Sequence, residues 1–166
     1  MAISLDDCSE DSQAPIAYTI EIMHTLAILK PDAVEAGLSG KILAHLEDAG
    51  FRIRAARLTR LTEAEARAFY RVHEERPFYG SLVAYMTSGP CMPLVLQRDD
   101  AVSHLREVIG ATDPSEAAEG TVRRLYAESK ERNVIHASDS PENAVQEISF
   151  FFPAAEMERL WGSPSR

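Results

Sequence analysis

The sequence has little cysteine, no long apolar run and no surplus of positive charge. Its two cysteines, Cys8 and Cys91, form neither a disulfide framework nor a metal-ligand spacing, and a reducing, cytoplasmic setting is the simplest expectation. Because there is no apolar run of about 18 residues and no basic-then-apolar leader, we expect neither a membrane helix nor a signal peptide. The formal net charge of −9 excludes a surface that steers broadly toward nucleic acid or anionic membranes.

What is present suits one folded domain with a tail at each end. The 166 residues are enough to bury a core without disulfides. Residues 1–20 carry Asp and Glu among Ser, Gln and Pro and have little to bury, so we predict an acidic, disordered N-terminal tail. Residues 21–153 are the predicted domain, and residues 154–166 are a C-terminal tail.

Apolar periodicity predicts four strands, near residues 22–29, 51–55, 94–96 and 134–136. Predicted helices lie between them, one opened by a capping box of Thr62 and Glu65 and the last capped by Ser140 and ended by Pro153. This order is typical of an α+β, ferredoxin-like split βαβ fold (βαββαβ), a four-stranded antiparallel sheet with helices packed on one face. Pro93 predicts a bulge or a sheet edge. Residues 111–132 are a predicted long loop, and such loops are usually functional.

His136 is the strongest candidate for a reactive side chain. It lies at a predicted strand end, with Asn133 three residues before it and Ser138 two residues after it. An unperturbed imidazole is mostly neutral at pH 7 and can attack phosphorus, and which nitrogen attacks depends on the partner of the other. The last predicted helix can fold back so that the Glu147 carboxylate accepts the second ring N–H. Two alternatives stay open: His136 is a core histidine bonded to a backbone carbonyl, and Glu147 is an exposed helix charge.

Cations and a hydroxyl near the ends of elements indicate a second feature, a phosphate site. Lys30 ends the first strand, Arg106 precedes the long loop, and Thr112 and Arg123 lie within it. Taken singly, each is better explained as a solvated surface group, and only their convergence in space would indicate a phosphate site. Phe78 and Tyr79 are predicted to be core aromatics, with the alternative that one of them offers a flat face to a nucleobase. The other four histidines have no ligand spacing, so no zinc site is predicted.

Six stretches of the chain match motifs of one known family in order and spacing. They are residues 25–32, 76–79, 86–90, 110–114, 120–123 and 133–140. On these motifs the sequence resembles nucleoside diphosphate kinase over residues 24–152. The resemblance implies reversible, ping-pong transfer of a γ-phosphoryl group from a nucleoside triphosphate, usually ATP, to a nucleoside diphosphate through a phosphohistidine.

The resemblance also assigns residues to roles. It implies a catalytic set of His136, Lys30, Tyr70, Asn133, Ser138 and Glu147. It implies a nucleotide-binding set of Lys30, Phe78, Arg106, Thr112, Arg123 and Asn133. In these roles Phe78 stacks on the base, while Lys30 and Asn133 contact the sugar hydroxyls. Mg²⁺ is implied as a cofactor carried by the nucleotide phosphates, with no metal site of the protein's own.

Family members assemble from dimers, so a homotetramer or homohexamer is implied, and neither a membrane nor a specific nucleic acid is an expected partner. Two departures from the family pattern stand out: Ala137 replaces the usual Gly, and Arg124-Leu125-Tyr126 replaces a Gly/Ala-Asp-aromatic stretch. Ala137 and the acidic tail motivate the alternative of a catalytically weak or inactive nucleotide-binding regulator. An RNA-binding sheet of similar topology is disfavoured because the chain is acidic.

Overall fold

Four antiparallel strands form one sheet, with the spatial order β2-β3-β1-β4. The computed structural model describes residues 23–161, so the predicted N-terminal tail and residues 162–166 lie outside the described residues. The strands are β1 (His24–Leu29), β2 (Arg52–Ala56), β3 (Met92–Gln97) and β4 (Ile135–Ala137). The predicted α+β, split βαβ sheet is therefore confirmed.

Eight α-helices and one short 3₁₀ helix, Arg71–His73, surround the sheet within residues 23–161. The α-helices are α1 (Pro31–Glu35), α2 (Ser39–Asp48), α3 (Glu63–Phe69), α4 (Tyr79–Thr87), α5 (Ala101–Ile109), α6 (Val122–Tyr126), α7 (Pro141–Phe151) and α8 (Ala154–Trp161). The two predicted helix caps are confirmed. Thr62 and Glu65 form a reciprocal capping box at α3, and the Ser140 hydroxyl accepts from Asn143 N at 3.1 Å at the start of α7. None of these helices is long and apolar enough to cross a membrane.

The sheet is covered on both faces, and β1 is buried along its whole length. Leu26 and Ile28 pack into a core with α3, α4 and α7, whereas Ala27 and Leu29 pack into a second core with α2 and α5. The prediction that helices cover one face was wrong. The signal lay in β1 itself, because a continuous apolar run marks a strand buried on both sides rather than on one.

Pro93 lies in β3, an inner strand, opposite Ile28 of β1. Its carbonyl accepts a hydrogen bond from Arg57 N at 3.2 Å, one residue beyond the end of β2. Because the N and C=O of a residue in an antiparallel ladder point the same way, the missing N–H falls where the β2 ladder has ended. The predicted edge was therefore wrong, and the register shift lies in β2, between Ile53 and Ala55.

Two predictions about helices also need correction. The predicted loop at residues 111–132 contains α6, and α8 follows Pro153, where the last helix was predicted to end. A five-residue helix such as α6 is too short to show helical periodicity in the sequence. Helix α8 is held to the sheet by the burial of Met157 and by an ion pair between Arg57 and Glu156 at 2.5 Å.

Candidate active site

A cavity of about 1390 Å³ opens beside the end of β1 and the start of β4. It gathers nine of the ten site residues that the sequence predicts. They are Lys30, Tyr70, Phe78, Arg106, Thr112, Arg123, Asn133, His136 and Glu147. The tenth, Ser138, is fully buried and contacts the cavity only through Glu147. The convergence on which the phosphate-site hypothesis depended is therefore present.

Strand β4 places His136 at the cavity wall. Its neighbours Ile135 and Ala137 are buried in the core beneath α2 and α5, so alternation turns His136 to the opposite face of the sheet, where it pairs with Ile28. The imidazole is about one-fifth exposed. The rings of Phe69 and Tyr70 meet it edge-on, with centroids 5.4 and 6.0 Å away. His136 is therefore held in place without being enclosed in the core.

Glu147 fixes the orientation of the imidazole. Its Oε2 atom lies 3.0 Å from Nε2 of His136 and accepts a hydrogen bond from the Ser138 hydroxyl at 2.7 Å. Ser138 Oγ in turn accepts from the backbone N of Leu26 at 3.3 Å. A carboxylate can only accept, so a neutral His136 donates from Nε2 and carries its lone pair on Nδ1. Neither alternative, a core histidine or an exposed glutamate, describes this arrangement.

Lys30 is a buried cation directed by an amide. Its Nζ donates to Asn133 Oδ1 at 2.6 Å, and Asn133 Nδ2 donates to the carbonyl of Lys130 at 2.8 Å. The Lys30 residue is only 7% exposed. Burial, and then the charge of Arg123, lower the pKa of Lys30 from 10.5 to about 8, although Asp32 acts in the opposite direction. An ammonium in this position gains strongly from an incoming anion.

Arg123 is a second buried cation, and its position is fixed by two backbone carbonyls. Nη1 donates to Gly110 O at 2.9 Å and Nη2 to Ile135 O at 2.8 Å, while the buried Nε has no partner within the described structure. Burial, and then the charge of Arg106, lower the pKa of Arg123 to about 10. Arg106 and Thr112 are exposed at the rim. The site therefore combines buried inner cations with an exposed polar rim.

The charge of the cavity is opposite to that of the chain. Six Lys and Arg side chains line it against three Asp and Glu side chains, in a protein whose formal net charge is −9. The lining cations are Lys30, Arg71, Arg106, Arg123, Lys130 and Arg132. Such a local excess of donors suits a polyanion such as a di- or triphosphate.

The model of the family described as nucleoside diphosphate kinase matches residues 23–157. Proteins of that description from Chlorobaculum parvum and Chlorobium luteolum are 58% and 57% identical to this chain, each over 82% of it and over 98% and 97% of their own length. The chain belongs to the nucleoside diphosphate kinase family. It is a nucleotide phosphotransferase, as the sequence resemblance predicted.

Solved structures of the family share the fold. The nucleoside diphosphate kinase of Aquifex aeolicus superposes with a TM-score of 0.78 at 47% identity, over 80% of this chain and 96% of that one. The halophilic enzyme from Halobacterium salinarum, solved in complex with CDP, gives 0.77 at 37% identity, over 80% and 89%. The ferredoxin-like core is therefore the fold of a nucleoside diphosphate kinase.

Two aromatic residues of this nucleoside diphosphate kinase differ in their surroundings. Phe78 is 49% exposed and lines the cavity, whereas its neighbour Tyr79 is buried and donates its hydroxyl to Arg67 O at 2.9 Å. Tyr70 is also buried, and its hydroxyl has no partner within the described structure. Burial, and then Glu147, raise the pKa of Tyr70 far above its usual range, so this hydroxyl stays protonated and able to donate.

The departures from the family pattern are accommodated locally. Ala137 is the last residue of β4 and packs in the core, and it is not among the described non-glycine residues with positive φ. Alanine therefore meets no backbone conflict there. Arg124 donates to Glu119 at 3.0 Å and to the carbonyl of Pro114 at 3.4 Å, which ties α6 to the preceding loop.

Several lining residues were missed by the sequence analysis. Val72 is 80% exposed at the rim, and it gives no signal because it lies in a charged stretch. Tyr85 and Arg132 also line the cavity, and the centroid of the Tyr85 ring is 5.8 Å from Lys30 Nζ and 5.9 Å from the Arg132 guanidinium. The sequence could have indicated Arg132 as a lining residue, because it directly precedes the run that starts at Asn133.

Proposed function

We propose that this enzyme transfers the γ-phosphoryl group of a nucleoside triphosphate to a nucleoside diphosphate by a ping-pong mechanism through Nδ1 of His136. The hydrogen bond between Nε2 and Glu147, at 3.0 Å, is the observation that carries the proposal. It fixes the tautomer that leaves the Nδ1 lone pair available. A histidine with both nitrogens occupied could not act as the nucleophile.

In the first half-reaction the Nδ1 lone pair of His136 forms a bond to the γ-phosphorus while the bond from that phosphorus to the bridging oxygen breaks. The electron pair leaves with the nucleoside diphosphate, and the ring becomes positively charged. The Nε2 proton stays on the ring, where it is hydrogen-bonded to Glu147, and the carboxylate stabilises the positive charge of the imidazole. The Ser138 hydroxyl holds that carboxylate in place. The second half-reaction is the reverse, with another diphosphate as acceptor.

The cations position the phosphates and neutralise their charge, which is most of what phosphoryl transfer requires of a protein. In this proposal Arg106, Thr112 and Arg123 hold the phosphates, and Tyr70 donates to the transferred group from its buried hydroxyl. Lys30 approaches the sugar and the transferred group together with Asn133. The exposed face of Phe78 stacks on the base, and stacking of this kind accepts any base.

Mg²⁺ in this proposal enters with the nucleotide. Among residues 23–161 no group of three or more His, Cys, Asp or Glu side chains could hold a metal ion, and the cavity lining is mainly cationic. These residues fit phosphate oxygens rather than a divalent cation of their own. Bound to the phosphates, Mg²⁺ offsets their charge.

We also propose an assembly of dimers into a tetramer or hexamer, on the ground of family membership. Light scattering gives the mass directly. A cytoplasmic location is supported by the buried, free thiol of Cys91, which suits a reducing compartment.

Labelling with γ-³²P-ATP and Mg²⁺ tests the mechanism. The wild-type enzyme is expected to take up acid-labile, alkali-stable phosphate and to release it on addition of a nucleoside diphosphate. His136→Ala should abolish the label while the protein stays folded, and His45→Ala, on α2 away from the cavity, is the matched control. Label that persists in His136→Ala would refute the assignment. Nucleotide binding by the wild type without any label would favour the non-catalytic regulator.

A further inference from the structure

Val134 has a backbone conformation that its side chain disfavours. Its φ is +60°, and Asp100 is the other described non-glycine residue with positive φ. A β-branched residue in this region is a conformational outlier that the surroundings must enforce. Ile135 N donates to Asn133 O at 2.7 Å across Val134, so the chain makes a tight three-residue turn there.

Both backbone polar groups of Val134 are held by the segment that follows β1. Its N–H donates to Oδ2 of Asp32 at 3.1 Å, and its carbonyl accepts from Lys30 N at 2.8 Å. The other carboxylate oxygen of Asp32, Oδ1, accepts from Ala33 N at 2.9 Å. Asp32 is 9% exposed. One buried carboxylate therefore joins two parts of the chain that are 102 residues apart in sequence.

The turn at Val134 lies between two residues of the active site. Asn133, immediately before it, accepts the Lys30 ammonium at 2.6 Å. His136, two residues after it, meets Glu147 at 3.0 Å. A change of φ at Val134 rotates the chain on one side of it against the other, so Asn133 and His136 cannot both keep these partners.

We propose that Asp32 is a positioning residue for phosphoryl transfer, whose carboxylate holds Val134 in the left-handed conformation that sets Asn133 toward Lys30 and His136 toward Glu147. Its catalytic consequence rests on the proposed function of His136. Two simpler roles compete with it. In the first, Asp32 only caps the first turn of α1. In the second, Asp32 only supplies a negative charge that balances Lys30.

Combining a substitution of Asp32 with glycine at position 134 separates these roles, because glycine adopts positive φ at no steric cost. Asp32→Asn leaves one acceptor oxygen for two N–H donors, so Val134 loses its partner or Ala33 does. We expect the rate of His136 phosphorylation by ATP in a single turnover to fall by about 100-fold, as a misplacement of about 1 Å can produce, with a much smaller change in nucleotide Kd. Asp48→Asn, on the exposed end of α2, is the matched control and should leave the rate unchanged.

The double variant Asp32→Asn/Val134→Gly is expected to recover most of the lost rate and to approach the rate of Val134→Gly alone. A counter-charge role would instead shift the alkaline limb of the pH profile in both Asp32 variants, and a capping role would lower thermal stability without rescue by glycine. If Asp32→Asn fails to fold, the comparison of the double variant with Val134→Gly alone still decides. A double variant much slower than Val134→Gly would overturn the inference.

A conformational measurement keeps this result separate from the proposed function. The one-bond coupling between the α carbon and the α proton of Val134 distinguishes positive from negative φ by NMR. We expect this coupling to change in Asp32→Asn and to stay unchanged in Asp48→Asn. If the wild type takes up no phosphate, the proposed function fails. The coupling of Val134 then remains as the test of whether Asp32 sets its backbone conformation. An unchanged coupling in Asp32→Asn would overturn the inference whatever the activity.

Discussion

Lys30 offers a prediction whose size follows from the structure. Burial of its ammonium lowers its pKa from 10.5 to about 8, so the unfolded chain binds this proton more tightly than the folded one. The contribution to stability is therefore unfavourable below pH 8 and disappears as the pH rises from 8 toward 10.5. The full penalty at neutral pH is about 3 kcal/mol, at about 1.4 kcal/mol for each pKa unit.

The perturbation is Lys30→Met, which keeps most of the side-chain volume and removes the charge. It also leaves Asn133 Oδ1 without its donor at 2.6 Å, which costs about 1–3 kcal/mol. The free energy of unfolding at a single pH therefore does not isolate the effect of the Lys30 charge, whereas its change with pH does. Between pH 7 and pH 9 the wild type should gain about 1.4 kcal/mol in the free energy of unfolding relative to Lys30→Met.

Urea unfolding of both proteins at pH 7, 8 and 9 measures this difference, at one protein concentration because association adds to apparent stability. The window ends at pH 9 because burial raises the pKa of Cys91 to about 11, which makes stability fall above pH 9 in both proteins. If the difference in unfolding free energy between the two proteins stays constant from pH 7 to pH 9, the pKa of Lys30 is not lowered in the folded state. Bound nucleotide should move the titration of Lys30 to higher pH, because phosphates favour the ammonium.

Three further predictions follow from single contacts. Phe78→Ala removes a stacking face worth about 1–3 kcal/mol, so KM should rise by about 5- to 150-fold in steady-state assays, and a strong difference among adenine, guanine and cytosine diphosphates would contradict simple stacking. Glu147→Gln weakens a charge-assisted hydrogen bond to His136 worth about 1.5–3 kcal/mol, so single-turnover phosphorylation should slow by about 10- to 150-fold; an unchanged rate would remove Glu147 from the mechanism. Thr62→Ala breaks the capping box at α3 and should lower stability to urea by about 1 kcal/mol with activity intact. No loss of stability would show that the cap is dispensable.

The sequence was sufficient for the features that depend on local pattern. The caps at Thr62 and Ser140 are short signatures with one structural meaning, and both are present. The four strands follow from apolar runs, and the succession of strands and helices along the chain indicated the split βαβ sheet that the structure has. The convergence of Lys30 and Arg123 on one cavity was anticipated through motif resemblance, since no local pattern brings together residues so far apart in sequence.

What escaped prediction depends on tertiary contacts. The strained turn at Val134 has no sequence signal, because valine is a poor residue for positive φ and the groups that hold its backbone, Asp32 and Lys30, lie about 100 residues away in the sequence. The inner position of Pro93 depends on where β2 ends, which the sequence does not show. The helix after Pro153 is held by the burial of Met157 and by the ion pair of Glu156 with Arg57, and both contacts are long-range.

The position of phosphate on the imidazole tests the central claim most directly. The ring donates from Nε2 to Glu147, so the intermediate should carry its phosphoryl group on Nδ1 of His136. ³¹P NMR of protein phosphorylated with unlabelled ATP distinguishes the two isomers under alkaline conditions, and peptide mapping locates the residue. We predict a single Nδ1-phosphohistidine at position 136. Phosphate on Nε2, or on any other side chain, would contradict the account.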